Sequence, residues 1–315
     1  MNINRLGCLT LLIFIFTFSV NAQQMSGVSN YLNSGIYLNP SVAGSDEKVS
    51  MMAMIRNELN QFAGNPSLQI ISIHGTVLHK SAGIGLLISN DKSGMLKNTG
   101  VTGCYTYRIR LGKGFFSSGI SGGIRQLSFS SSLHPEDLED PYLPVSSTSL
   151  YYPDLNIGFL YKSTKTTLSA SSLHLINPSD MVQSIKLLPH YFFYAAYSIN
   201  PENYFVLQPA SLIKIVSKAV IQADFSIYVK SPEASVGLSY RTNQSVALQL
   251  MLQLNNLIAG LTPDLSFGYA YDYSFHPYLT GSSGNNEIFL RYRFEILKST
   301  KKILREPKNI SPKFY

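Results

Sequence analysis

The chain has 315 residues and a formal net charge of +7, with 14% charged residues, 20 Tyr, 17 Phe and no Trp. A soluble domain of average composition carries roughly 25% charge, so an ordinary water-exposed surface is excluded for much of this chain. Mean hydropathy is near zero, too low for a bundle of apolar membrane helices, and the basic residues do not cluster within the folded region, which argues against nucleic acid as a partner.

Residues 1–22 read as a secretory signal: Arg5 gives a positive start, Leu6 to Val20 an apolar run, and Val20-Asn21-Ala22 a small-residue cleavage site. After cleavage Cys104 is the remaining cysteine, so no intramolecular disulfide forms. Residues 23–48 are expected to be a periplasmic lead-in segment, punctuated by Asn39-Pro40 and Ala43-Gly44.

Strand-like segments follow at 49–57, 67–77, 81–89, 100–111, 114–128, 154–163, 166–176, 189–200, 203–215, 219–230, 234–242, 245–255, 264–275 and 286–296. The clearest is 264–275. Leu265, Phe267, Tyr269, Tyr271, Tyr273 and Phe275 share one face; Ser266, Gly268, Ala270, Asp272 and Ser274 share the other. Period two means a strand, because successive side chains point to opposite sides of the sheet. A large aromatic face opposite a small polar one suits lipid outside and a packed polar lumen inside. In 245–255, Val246, Leu248, Leu250, Leu252 and Leu254 oppose Ala247, Gln249, Met251 and Gln253. Segment 67–77 alternates poorly, with Ile70, Ile71 and Ile73 on both faces. The fold expected is all-β: an antiparallel up-and-down transmembrane barrel of 14 strands over 49–296, an even number as bacterial single-chain barrels have. The competing architecture, a soluble sandwich, would carry more charge on its exposed face.

Connections after odd-numbered strands read as long (58–66, 90–99, 129–153, 177–188, 276–285), and those after even-numbered strands as mostly short (78–80, 112–113, 164–165, 201–202, 231–233). The connections 216–218, 243–244 and 256–263 break that rule. Short turns mark the periplasmic rim, so both termini are expected there. The acidic, Pro-rich run 134–144 within loop 129–153 reads as a binding loop, a plug or a solvated loop; 297–315 is a basic periplasmic tail.

No His pair has metal-ligand spacing, and no G-x-S-x-G elbow or phosphate-binding Gly loop occurs. No cofactor and no catalytic residue is assigned. The chemistry-bearing candidates are the lumen-parity charges Arg108, Arg110, Asp224, Asp272, Glu287, Arg291, Arg293 and Glu295. Closure makes the first and last strands neighbours, so Arg56 is expected beside Glu287 and Arg291. These charges form either a stiffening salt-bridge network or a transport pathway, and the lumen conducts only if no loop folds into it.

Several motifs in order resemble one family. They are Leu38-Asn39-Pro40-Ser-Val-Ala-Gly44; Arg56 followed by Phe62-x-Gly64-x-Pro66; Gly83-Ile-Gly85 with Asp91 and Gly94; and Pro153-Asp154-Leu-Asn-Ile-Gly158. His190-Tyr191, Leu212-Ile-Lys214, Gly237-Leu-Ser-Tyr-Arg241, Gly268-Tyr-Ala-Tyr-Asp272 and Glu287-Ile-Phe-Leu-Arg-Tyr292 continue the order. Together they resemble the PorP/SprF family of outer-membrane proteins, associated with type IX secretion and gliding in Bacteroidota. The resemblance implies a non-enzymatic docking platform. Its periplasmic side would meet type IX secretion components or a peptidoglycan-binding lipoprotein; its outer rim would hold or pass a secreted adhesin-like protein. A channel for small solutes is the alternative. The sequence departs from the family at Glu58-Leu59, where Gln-Trp is common.

Overall fold

Fourteen antiparallel strands close into a barrel in the computed structural model, which describes residues 27–31, 34–46, 48–59, 64–77, 81–129, 148–176, 188–216, 220–257, 264–275 and 284–295. The first seven strands are β1 Val49–Asn57, β2 Ser67–Val77, β3 Ala82–Ser93, β4 Leu96–Leu111, β5 Gly114–Phe129, β6 Thr148–Ser163 and β7 Thr166–Leu173. The remainder are β8 His190–Tyr197, β9 Val206–Val216, β10 Val220–Lys230, β11 Ala234–Arg241, β12 Ser245–Gln253, β13 Asp264–Ser274 and β14 Asn285–Phe294. Each pairs with its sequence neighbour, and β1 pairs with β14 to close the ring, with Arg56 opposite Glu287.

The period-two faces set which side is wet. Ile71, Ile124, Ile221, Phe225 and Leu248 are exposed on the outside, more than half of each side chain's surface open. Exposed apolar surface on that scale is foreign to a soluble monomer and suits the hydrocarbon of a bilayer. β2 alternates after all: Leu68, Ile70, Ser72 and His74 are buried inward, whereas Ile71 and Ile73 face out. Its apolar inward residues have apolar partners in the lumen, which is why its pattern reads as poor.

Two expectations about connections change. Residues 90–99 are not a long loop: β3 and β4 run on to a tight turn at Gly94–Met95, with Gly94 at φ 59°. On the other rim the β8–β9 connection spans 198–205, longer than the two residues expected. Loop residues 130–147, the signal 1–22 and the tail 297–315 lie outside the described residues.

The largest correction concerns the lead-in segment. Its described residues do not wait in the periplasm; they run through the lumen. A short helix α1 (Gly35–Leu38) and a 3-10 turn (Pro40–Val42) form this plug. It begins at Ser29 beside Asp272 and Glu287, near the long-loop ends of β13 and β14, and leaves at Lys48 beside Asp264, at the short-turn end. The described chain therefore starts at the long-loop rim, the outer one by the barrel rule. The driving force is burial. Val28, Tyr31, Tyr37 and Leu38 pack with Met52, Met54, Leu68, Ile70, Leu173, Phe192, Leu212 and Phe289 in one core inside the barrel. A buried large apolar side chain contributes about 1.5–3 kcal/mol, so four on one short segment outweigh leaving it free in water.

Candidate functional site: a plugged lumen with two different ends

At the long-loop end the plug is held by charge. Arg56 on β1 donates from Nη2 to Asp272 Oδ2 at 2.6 Å, from Nη1 to Glu287 Oε2 at 3.3 Å and from Nε to Glu58 at 2.8 Å. Arg241 on β11 donates from Nε to Asp224 at 2.9 Å and from Nη1 to Asp272 at 3.2 Å. It reaches across β12 because the residues facing inward there at that level are the small Ser245 and Ala247. Ser29 sits at the centre: its hydroxyl lies 2.6 Å from Asp272 Oδ1 and accepts from Arg56 Nη1 at 2.8 Å. The Ser29 and Asn30 amides donate to the two oxygens of Glu287, at 2.8 and 2.9 Å. Gln222 completes Asp224 at 2.9 Å. Every carboxylate oxygen of Asp224, Asp272 and Glu287 thus has a donor, the condition under which buried charges are tolerated. The plug supplies part of that set.

In the middle, the Asn39-Pro40-Ser-Val-Ala-Gly44 box fastens the plug to the wall. Asn39 Nδ2 donates to the Phe159 carbonyl at 2.9 Å and to Ser169 Oγ at 2.7 Å, while its Oδ1 caps the 3-10 turn by accepting from the Ser41 amide at 2.8 Å. Ser117 and Thr106 donate to the carbonyls of Ser41 and Ala43, both at 2.9 Å. Contact this close needs bare backbone on the wall. A Cβ at Gly83, Gly119 or Gly158 would overlap Ala43, Ser41 or Asn39 respectively. Gly44 turns the chain at φ 71°, a left-handed conformation that suits glycine.

Beside the box lies a second polar group. Asp154 on β6 meets His174 Nδ1 at 2.9 Å, Asn156 Nδ2 at 3.3 Å and Arg125 Nη1 at 3.8 Å. Asp91 on β3 lines the same small space, between wall and plug. Pro153 is exposed on the lipid face opposite Ile124.

The short-turn end differs. There a cavity of about 420 Å³ lies between the plug and the wall. Arg291, Arg293, Lys162 and Lys230 line it, with Asp46 the sole carboxylate among the lining residues. Lys162 meets Asp46 at 3.3 Å and Arg293 meets Asp264 at 3.0 Å. Burial opposes ionisation of Asp46, but Lys162, then His74, Arg291 and Arg293, outweigh it and lower its pKa from 3.8 to about 2.

The predicted lumen charges therefore divide. Arg56, Asp224, Asp272 and Glu287 come together at one end; Arg291 and Arg293 stand at the other, so Arg291 does not join Arg56. Arg108 donates to the Gly44 carbonyl and stacks 4.5 Å over the Phe115 ring. Arg110 is exposed at the short-turn end of β4 and makes no ion pair among the described residues, and Glu295 is exposed beyond β14.

The family model for "Type IX secretion system membrane protein PorP/SprF" matches residues 20–292. The chain belongs to the PorP/SprF family. No curated protein matches it. Among solved structures it is similar to the CymD monoaromatic hydrocarbon channel, at 10% identity, TM-score 0.52, and 86% of this chain against 95% of that one. It is also similar to a Pseudomonas aeruginosa FadL homologue, at 9% identity, TM-score 0.51, and 84% against 94%. These likenesses are of fold: an outer-membrane barrel.

The PorP/SprF motifs acquire places in this barrel. Asn39, Pro40 and Gly44 form the box on the plug, and Gly158 is its seat on the wall. Gly64 and Pro66 tie down the first loop: the Gly64 carbonyl accepts from the Gly94 amide at 3.0 Å, and that of Pro66 from Glu58 at 2.8 Å. Phe62 lies outside the described residues. Glu58, where the family commonly has Gln, is a partner of Arg56. Sequence reasoning named Arg241 in a motif but did not count it among the lumen charges, and it missed Ser29. Arg241 was visible, since it shares the inward parity of Ser235, Gly237 and Ser239. Nothing in the sequence marks Ser29.

Proposed function

We propose that this PorP/SprF barrel acts as a docking platform of the type IX secretion machinery, with a closed lumen and two rims offering different chemistry. The observation that carries the reading is the plug. A segment of the chain occupies the lumen, is bonded to the wall along its length, and completes a buried charge cluster at one end. A wall so filled favours binding at the rims over passage through the middle. The periplasmic rim would meet secretion components or a peptidoglycan-binding lipoprotein, and the outer rim a secreted adhesin-like protein.

The test is affinity purification from crosslinked native outer membranes, read by mass spectrometry. A large secreted surface protein among the partners means an adhesin-specific exporter or anchor. Periplasmic lipoproteins alone mean a structural link within the apparatus. Recovery of the barrel by itself sinks the docking reading.

The competing reading is a small-solute channel, supported by the likeness in fold to a monoaromatic hydrocarbon channel. It requires steady ion conductance from the purified barrel in a planar bilayer. The plug favours a silent bilayer.

A further inference from the structure

The cavity at the short-turn end has a chemistry of its own. Four basic side chains and one carboxylate line it; that carboxylate is already paired to Lys162, and Arg293 is paired to Asp264 outside the lining. Lys230 projects from the last position of β10, its ammonium 5.9 Å from the Tyr228 ring. Deeper in, Tyr194 Oη, Gln208 Oε1, Gln249 Oε1 and Asn30 Nδ2 are buried without a hydrogen-bond partner among the described residues. All four residues line this cavity. Buried polar atoms left unsatisfied cost about 1–3 kcal/mol each, and here several gather around one space. They ask for an occupant that both donates and accepts hydrogen bonds. The surrounding cations ask for one that is negatively charged. The volume of about 420 Å³ lies within the range of ordinary ligand pockets.

We propose that this cavity is a binding site for a carboxylate-bearing ligand that enters from the periplasm, Lys230 and Arg291 meeting its acid groups and the Gln208, Gln249 and Tyr194 side chains its amide groups. A ligand with both acid and amide groups is an acidic peptide segment. The chain's own tail is the wrong occupant: residues 297–315 carry Lys298, Lys301, Lys302, Arg305, Lys308 and Lys313 against Glu306, and like charge repels. The inference deepens the docking reading by giving the periplasmic rim a pocket and a ligand chemistry.

The experiment uses the full chain purified in detergent and a fluorescent oligoglutamate peptide, followed by anisotropy at low salt. Saturable binding is expected, absent for an oligoglutamine peptide and weakened by added salt. Lys230→Gln is expected to weaken it by about tenfold or more, as loss of a charge-assisted contact does. Lys230→Arg is expected to retain it, which separates lost charge from lost fold. Lys97→Gln, exposed at the far end of the barrel, is expected to leave it unchanged. If free glutarate competes as well as the peptide, the source is a small dicarboxylate and the acid site stands. Absence of binding to the folded wild-type chain, or equal loss in the Lys97 and Lys230 variants, overturns the proposal. The crosslinking result in cells is independent of this measurement, so each can fail alone.

Discussion

Asn39 Oδ1 lies where a side chain at position 158 would have to stand. The plug and the wall are therefore fitted at one atom, with Gly158 on β6 making room for the residue that caps the 3-10 turn. Gly158→Ala forces either Asn39 or β6 to move. Overpacking of this kind costs about 1–3 kcal/mol. The loss is expected as a lower unfolding temperature on heat-modifiability gels. Gly103→Ala serves as the control, since the nearest atom to its Cβ is 3.9 Å away, and it should unfold like wild type.

Arg56 is the hinge of the charge cluster. Arg56→Met leaves Asp272 and Glu287 buried with one cation fewer. Removing a single partner from a buried ion group costs about 3–5 kcal/mol. The double variant Arg56→Met/Glu287→Leu removes a stranded charge as well, while Asp272 keeps Arg241 at 3.2 Å. It is expected to be more stable than the single variant in urea titrations of the detergent-folded barrel. A double variant less stable than the single would mean that Glu287 is held by the plug amides alone.

Asp46 makes stability depend on acid. Its pKa is lowered from 3.8 to about 2, so the folded state prefers the charged form. The contribution is present above pH about 4 and is lost as pH falls through about 2. Asp46→Asn lacks it. The stability gap between wild type and Asp46→Asn is expected to be flat at neutral pH and to close between these values. A gap that persists at pH 2 would show that the Lys162 pair is not its origin.

The direction of the plug is open to labelling. Gly27 has open space around its Cβ position and lies at the long-loop end. In a Cys104→Ser background, Gly27→Cys is expected to react with a membrane-impermeant maleimide on intact cells. Ser231→Cys, in the β10–β11 turn, is expected to react only after the outer membrane is opened. The reverse pattern would invert the assignment of the two rims.

Much of this architecture is written in period two. The aromatic face of β13 and the leucine face of β12 announce lipid on one side, and all fourteen strands lie close to where alternation puts them. The ends of β3, β4 and β6 do not, because polar residues such as Asn90, Asp91 and Asn98 suit a strand above the bilayer as well as a loop. Inward parity also marked Arg56, Asp224, Asp272 and Glu287 as lumen residues. Parity says which side a residue faces, not which neighbours it meets. Arg291 shares a strand and a face with Glu287, yet four residues along a strand is about 13 Å, and the two ended in different sites.

The sequence alone determined the barrel, its strand number and the faces of the strands that alternate cleanly, because those follow from local alternation and from the intolerance of hydrocarbon for unpaired backbone. Only the tertiary structure decided where residues 27–31 and 34–46 lie. Nothing local distinguishes a turn-rich segment in the periplasm from one in the lumen. The difference is made at long range, by three glycines on separate strands, an apolar patch spread over β1, β2, β7, β8, β9 and β14, and acids on β13 and β14 that find part of their hydrogen-bond donors in Ser29 and Asn30.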